Sequence, residues 1–97
     1  MIVSFRDKET KAIYDNETTK AARKQLPVGL WRIAQRKLDQ LARVARLSQL
    51  TLPPGNQLEP LKGDREGQHS IRVNEQYRIC FAWTDKGPER VEITDYH

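Results

Sequence analysis

The sequence predicts an α+β domain in which two N-terminal helices pack on one face of a twisted antiparallel sheet. Three observations carry this prediction. Apolar residues recur with helical spacing over residues 27–47. The run Pro53-Pro54-Gly55-Asn56 then interrupts regular secondary structure. Beyond this run apolar residues alternate with a period of two, as in a strand. Helices followed by a strand meander are typical of an α+β fold. We expect residues 1–97 to form a single domain, because this length supports one core.

The first helix follows a short β-type run at residues 2–5. Asp7 is a suitable N-cap, so we expect a helix from there to about residue 16. Residues 17–26 are interpreted as a polar connector with some helical character. Pro27 then stands where the first turn of a helix tolerates proline.

The second helix, expected to run to about residue 47, has the clearest periodicity. At about 100° per residue its apolar side chains fall in one arc. These are Leu30, Ile33, Ala34, Leu38, Leu41, Val44 and Ala45. The opposite side carries Arg32, Arg36, Arg43 and Arg46. The helix should therefore pack one face and offer a cationic face to a partner, while Lys37 snorkels out of the apolar side.

Three strands are predicted at residues 70–74, 77–83 and 90–94, with turns at 74–76 and 85–88. Alternation assigns one set of side chains to the face that meets the helices: Ile71, Val73, Ile79, Phe81, Trp83, Val91 and Ile93. The other face carries Arg72, Arg78, Cys80, Ala82, Glu92, Thr94 and Tyr96. Because Cys80 and Ala82 at the centre of this second face have small side chains, we expect the face to form the floor of a shallow cleft.

Charge and composition favour a polyanionic partner. The net charge is +4, and the first 50 residues hold eleven Lys and Arg against five Asp and Glu. Cys80 is the only cysteine, which excludes an internal disulfide and a cysteine-based zinc site. No stretch is apolar enough for a signal peptide or a membrane span, so a cytoplasmic protein without a membrane partner is expected.

The residue types suit metal-free cleavage of RNA. There is no nucleophile–base pairing, no metal-ligand spacing and no phosphate loop, and we expect no cofactor. RNA supplies its own nucleophile, the 2′-OH, so the protein must move protons and stabilise phosphoryl charge. Asp95, Tyr96 and His97 can serve the proton transfers. The candidate phosphate ligands are Lys62, Arg65, Arg72 and Arg78.

Each candidate also has a structural interpretation. A terminal His97 can be a frayed tail, and residues 62–67 can be a solvated turn with internal ion pairs. Arg78 lies between Tyr77 and Ile79 in an apolar strand, where a charge needs a partner. Cys80 is interpreted as a small core residue and His69 as an ordinary strand residue.

Several of these segments together resemble the HigB branch of the RelE/ParE toxins. The similarity spans the whole chain and rests on an ordered set of motifs: Met1-Ile2-Val3-Ser4-Phe5, Glu59-Pro60-Leu61-Lys62-Gly63-Asp64-Arg65-Glu66-Gly67, Ser70-Ile71-Arg72-Val73-Asn74, Tyr77-Arg78-Ile79 and Asp95-Tyr96-His97. The resemblance implies a RelE-like, microbial-RNase-type fold with the active site on the open sheet face. It implies the toxin of a type II toxin–antitoxin pair, which cleaves mRNA in the ribosomal A site without metal. It also implies a HigA-like helix-turn-helix antitoxin, with operator DNA bound only through the toxin–antitoxin complex.

The resemblance also assigns roles by matching position. The family's catalytic set falls on Lys62, Arg78, Asp95, Tyr96 and His97. Some HigB toxins have a histidine where this chain has Glu59, so either Glu59 takes the proton or His97 and Asp95 carry both transfers. Arg65 and Arg72 would bind RNA on the sheet. The arginines of the second helix, Arg32, Arg36, Arg43 and Arg46, would face ribosomal RNA or an acidic antitoxin segment.

Two other functions remain open from the sequence. The first is a non-enzymatic ParE-like toxin that binds DNA gyrase, and the terminal Asp95-Tyr96-His97 argues against it because a binder needs no acid/base pair. The second is a basic module whose only task is to bind nucleic acid.

Overall fold

The computed structural model describes residues 1–95, which form three α-helices, four β-strands and short 3-10 turns. The helices come first and are α1 (Lys8–Tyr14), α2 (Lys20–Gln25) and α3 (Trp31–Arg43). The strands follow and are β1 (Glu59–Pro60), β2 (Gln68–Arg72), β3 (Tyr77–Thr84) and β4 (Gly87–Asp95). They form one antiparallel sheet in the order β1-β2-β3-β4. The predicted α+β class is confirmed.

The first two helices are both capped by side chains. Asp7 accepts a hydrogen bond from the backbone N–H of Thr10 at 2.7 Å, as the sequence predicted for α1. Thr19 accepts from the N–H of Ala22 at 3.0 Å and so begins α2. Because Ala22 is fully buried, the predicted connector is in fact a packed helix, and the prediction of two helices counts one too few.

The third helix begins and ends inside its predicted range. A 3-10 turn at Val28–Leu30 leads into α3, and the indole N–H of Trp31 donates to the Leu26 carbonyl at 2.8 Å. The helix stops at Arg43 and not near residue 47, because Val44 is extended and the Gln49 side chain accepts from the N–H groups of Ala45 and Arg46. Arg46 therefore lies beyond the cationic helix face to which the sequence assigned it.

The segment Pro53-Pro54-Gly55-Asn56, which the sequence predicted to interrupt the secondary structure, packs against α3. A cis peptide joins Leu52 to Pro53, and a 3-10 turn spans Pro54–Asn56. Asn56 is fully buried, donates to the Leu50 and Leu52 carbonyls at 3.1 and 3.2 Å, and accepts from the Lys37 ammonium. Lys37 thus reaches a polar partner, and burial lowers the pKa of its ammonium.

The sheet contains more pairing than the sequence predicted. Strand β1 has only two residues and pairs Glu59 with Ser70 in β2. The N-terminal segment also joins the sheet, as Phe5 bridges Val91 of β4 in parallel and Val3 donates to the Pro88 carbonyl at 2.7 Å. A two-residue strand and an isolated bridge leave no detectable alternation in the sequence.

Side chains of the helices complete the outer edge of β4. Thr10 of α1 accepts from the N–H of Ile93 at 3.0 Å, and Gln25 of α2 donates to the Ile93 carbonyl at 2.7 Å. The N–H and the carbonyl of Ile93 therefore both have hydrogen-bond partners, although the N-terminal segment does not pair with this part of β4. The helical layer in this way fixes the strand that leads to Asp95.

The main core lies between the helices and one face of the sheet. Six of the seven apolar residues predicted for this face are buried there: Ile71, Val73, Ile79, Phe81, Val91 and Ile93. Trp83 is half-buried at its edge. The helices contribute a second set: Ala12, Ile13, Ala22, Leu26, Trp31, Ala34, Leu38 and Leu41. Within residues 1–95 no helix is long and apolar enough to cross a membrane.

Candidate active site

The sheet face turned away from the helices, here called the outer face, is organised in cross-strand rows. Directly opposed residues share a face of a sheet. One row crosses all four strands: Glu59, Ser70, Cys80 and Glu92. The next row, nearer the end of β4, joins Arg72, Arg78 and Thr94. The two rows bring together residues that are as far as 35 positions apart in the chain.

Arg78 is the buried cation of the outer face. Only 8% of it is exposed, its Nη1 donates to Ser70 Oγ at 3.1 Å, and the same Nη1 lies 3.3 Å from Glu59 Oε1. A charge in this apolar strand needs a partner, as the sequence indicated. Glu59 of β1 and Ser70 of β2 are such partners. The guanidinium is therefore held in place by β1 and β2.

Arg72 lies directly opposite Arg78 in the sheet. Like charges in opposed positions destabilise a sheet, so the pair favours an anion close to both guanidinium groups. Arg72 Nε is also buried without a hydrogen-bond partner among residues 1–95. Arg72, Arg78 and the carboxylate of Glu59 are thus brought close together at this end of the outer face.

The centre of the outer face is covered by side chains and does not form the shallow cleft floor that the sequence predicted. Arg65 Nη1 lies 2.7 Å from Glu92 Oε1 and 3.2 Å from Gln68 Oε1, so its side chain links β4 to β2 across β3. Arg6 approaches the same Glu92 oxygen at 3.6 Å. Cys80 below is fully buried, and this burial raises the pKa of its thiol.

Lys62 lies at the start of the turn that carries Arg65. A 3-10 turn spans Gly63–Arg65, and Gly63 has a φ of 65°, a left-handed conformation that glycine adopts readily. Lys62 itself is exposed. The segment is thus a turn, as one interpretation of the sequence had it, and its Arg65 forms an ion pair with Glu92 of the sheet.

Asp95 ends the described part of β4. It pairs with Tyr77 across the strands, and Gln76 Nε2 donates to its Oδ2 at 2.8 Å. Tyr77 packs against the main core, so Asp95, which lies directly opposite it, belongs to the helix side of the sheet. Tyr96 and His97, the other two residues predicted at this end, lie outside the described residues.

The predicted RNA-binding arginines fall on two surfaces. Arg65 and Arg72 lie on the sheet, whereas the exposed Arg32 and Arg36 line a groove of about 630 Å³ between α1 and α3. In the same helix Arg43 pairs with Asp39 at 3.0 Å. The helical arginines therefore form a surface of their own.

The chemistry that residues 1–95 bring together is cationic and hydrogen-bonding. In this part of the chain no three His, Cys, Asp or Glu side chains gather as metal ligands would.

A family model described as "RelE-like toxin of type II toxin-antitoxin system HigB" matches residues 3–97. The chain belongs to this HigB-like toxin family. The resemblance inferred from the motifs is confirmed.

Curated relatives agree with the HigB-like assignment. The chain is 36% identical over 85 residues to Toxin HigB-1 of Vibrio cholerae, covering 88% of this chain and 86% of that protein. It is 31% identical over 99 residues to Endoribonuclease HigB of Proteus vulgaris, covering 100% of both. These matches do not favour the ParE-like alternative.

A solved structure shares the fold of this HigB-like chain. The structure titled "YoeB-YefM complex from Staphylococcus aureus" matches with a TM-score of 0.59 and 16% identity, over 100% of this chain and 95% of the matched chain. At this identity the similarity concerns the fold. It supports the predicted packing of helices on one face of an antiparallel sheet.

Sequence reasoning missed two contacts of the outer face, one made by Ser70 and one made by Glu92. Ser70, which contacts Arg78, lies two residues before Arg72 in the same strand, so alternation could have placed it. Alternation did place Glu92 on this face, but its partner Arg65 lies 27 residues away in an irregular turn. No periodic signal connects these two positions.

Proposed function

We propose that this chain is the toxin of a type II toxin–antitoxin pair and a metal-independent endoribonuclease that cleaves mRNA in the ribosomal A site. The observation that carries the proposal is the opposed pair Arg72 and Arg78. Arg78 is nine-tenths buried, and the Nε of Arg72 is buried without a hydrogen-bond partner among residues 1–95. Two guanidinium groups placed opposite each other in this way can bind one anion between them. A phosphodiester is the anion that the proposed substrate offers.

In the proposed reaction the 2′-OH of the nucleotide loses its proton and its oxygen attacks the adjacent phosphorus. The bond from phosphorus to the 5′-oxygen of the next nucleotide breaks, and that oxygen receives a proton. The products are a 2′,3′-cyclic phosphate and a free 5′-OH. Arg78 stabilises the charge that grows on the phosphoryl oxygens, and Lys62 and Arg72 bind phosphate beside it.

We assign the proton transfers to His97 and Tyr96, with Asp95 orienting them from the end of β4, and give Glu59 a different role. Glu59 lies 3.3 Å from the Arg78 guanidinium, which makes it the ion-pair partner of that group. Its carboxylate then positions Arg78 and does not take the 2′-OH proton. Asp95 directly follows Thr94, which lies opposite Arg78 in the sheet, and this position supports the assignment.

The partners follow from the two arginine surfaces. The sheet site would take the mRNA, and the exposed Arg32, Arg36, Arg43 and Arg46 of the helical layer would contact ribosomal RNA phosphates. The relatives' toxin–antitoxin class implies a HigA-like antitoxin that neutralises the protein. Through that complex the pair would bind its operator DNA, and the working compartment is the cytoplasm, where ribosomes are.

Growth arrest tests the proposal in cells. We expect Arg78→Ala and His97→Ala each to abolish the growth arrest that induction of the wild-type chain causes. Arg23→Ala, which changes an exposed arginine of α2, should leave it intact. Circular dichroism and thermal melting would verify that the inactive variants are folded.

Primer extension on cellular mRNA identifies the target in the same cells. Discrete cuts in frame with translation are expected with the wild type and absent with Arg78→Ala. Intact transcripts together with a DNA-damage response would instead indicate the ParE-like activity. Full toxicity of both site variants would contradict the site assignment.

A further inference from the structure

We propose that Arg65 is a positioning residue whose ion pair with Glu92 holds the Lys62 turn over the sheet. This inference rests on the proposed function and changes one part of it, because the sequence assigned Arg65 to RNA binding. Lys62 then remains the phosphate ligand of this segment. Arg65 supplies the link that keeps Lys62 in place.

The contact between Arg65 and Glu92 crosses a whole strand. Glu92 belongs to β4 and Gln68 to β2, and Arg65 Nη1 contacts both, at 2.7 and 3.2 Å. Strand β3 lies between those two strands, so the side chain spans the sheet above Cys80, which is fully buried. The contacts of Arg65 thus tie the turn to β2 and β4, the strands on either side of β3.

The turn has little other packing. Lys62, Asp64 and Glu66 are exposed, whereas Arg65 is only partly so. Gly63 and Gly67 bound the turn with φ values of 65° and 91°, and a Cβ at either would meet no atom within 4 Å. The start of the turn is anchored by Leu61, whose N–H donates to the Gln68 carbonyl at 2.8 Å. Beyond that anchor, Arg65 is the residue that reaches the sheet.

Electrostatics also favour a structural role for Arg65. Glu92 is only 8% exposed, and a carboxylate this buried needs its cation. An RNA phosphate that approached Arg65 would meet the negative charge of Glu92 at the same guanidinium. Exposed Lys62 has no such competitor among the contacts of residues 1–95, and it lies three residues beyond Glu59, the partner of Arg78. The ion pair therefore holds a phosphate-binding lysine near the buried arginine.

Hydrogen exchange and kinetics on the full chain separate this role from direct RNA binding. In Arg65→Gln and in Glu92→Gln we expect the amides of residues 62–67 to exchange at least about tenfold faster in the free protein. On programmed ribosomes kcat should fall on the order of 10- to 100-fold, since a displacement of about 1 Å in a positioned group costs that much, while KM changes little. Arg23→Gln, an exposed arginine on α2, serves as the matched control.

The charge-reversed pair, Arg65→Glu with Glu92→Arg, provides the decisive comparison. If Arg65 positions the turn, the double variant restores both the slow exchange and most of kcat, although position 65 then carries a carboxylate. Unchanged exchange in Glu92→Gln, or a double variant as inactive as Arg65→Gln despite restored exchange, would overturn the proposal. The exchange measurement needs no RNA, so it tests the ion pair even if the wild type proves not to cleave RNA.

Discussion

Arg78 is a buried charge, which is unfavourable for folding, and in the proposed reaction the same charge stabilises the phosphoryl group. The residue is nine-tenths buried in a sheet, its guanidinium contacts Glu59 and Ser70, and it faces a second arginine. The sequence showed that this charge needed a partner. It could not show which partner, because Glu59 belongs to a two-residue strand with no periodic signature.

The role of Glu59 can be tested by removing its charge alone. If Glu59 positions Arg78, Glu59→Gln should lower kcat on the order of tenfold, since the guanidinium loses part of its support. The shape of the profile of kcat against pH should stay that of the wild type. A general base would behave differently, because its loss would abolish cleavage and remove the rise of kcat with pH. Cleavage on ribosomes over a range of pH distinguishes the two roles.

At the scale of whole elements, the sequence predicted those elements that have a capping residue or a repeating apolar pattern, and it was less successful with short elements and with boundaries set by distant residues. Helix α1 and strands β2 and β3 follow from Asp7 and from alternation over residues 70–83. Helix α2 has six residues, too few for a repeating pattern. The end of α3 is set by Gln49, a residue outside the helix, so the apolar arc alone overestimated its length.

The link between the helices and β4 is an interaction that only the structure shows. Thr10 is fully buried and accepts from the N–H of Ile93. Thr10→Val keeps the shape of the side chain but leaves that N–H without a partner, which should cost about 1–3 kcal/mol of unfolding free energy. Chemical denaturation measures this loss, and Thr18→Val, at an exposed position, is the control. Equal stability of Thr10→Val and the wild type would show that β4 is held by other contacts.

The molecule as a whole has two layers with different charge. The helical layer exposes Arg32, Arg36 and Arg43, whereas on the sheet Arg78 and Glu92 are buried in ion pairs that cross strands. The uneven distribution of lysine and arginine along the sequence already indicated the first surface. The second depends on register, which brings Glu59, Ser70 and Arg78 together from three strands, and register was not predictable for β1.

Cleavage by the purified protein on ribosomes programmed with a defined mRNA tests the central claim most directly. We predict cuts within the codon in the A site, in the absence of added metal beyond what the ribosome requires. Arg78→Ala should reduce them by at least about 100-fold, the loss typical when one donor to a developing oxyanion is removed. Intact mRNA with wild-type protein that nevertheless arrests growth in cells would contradict the account.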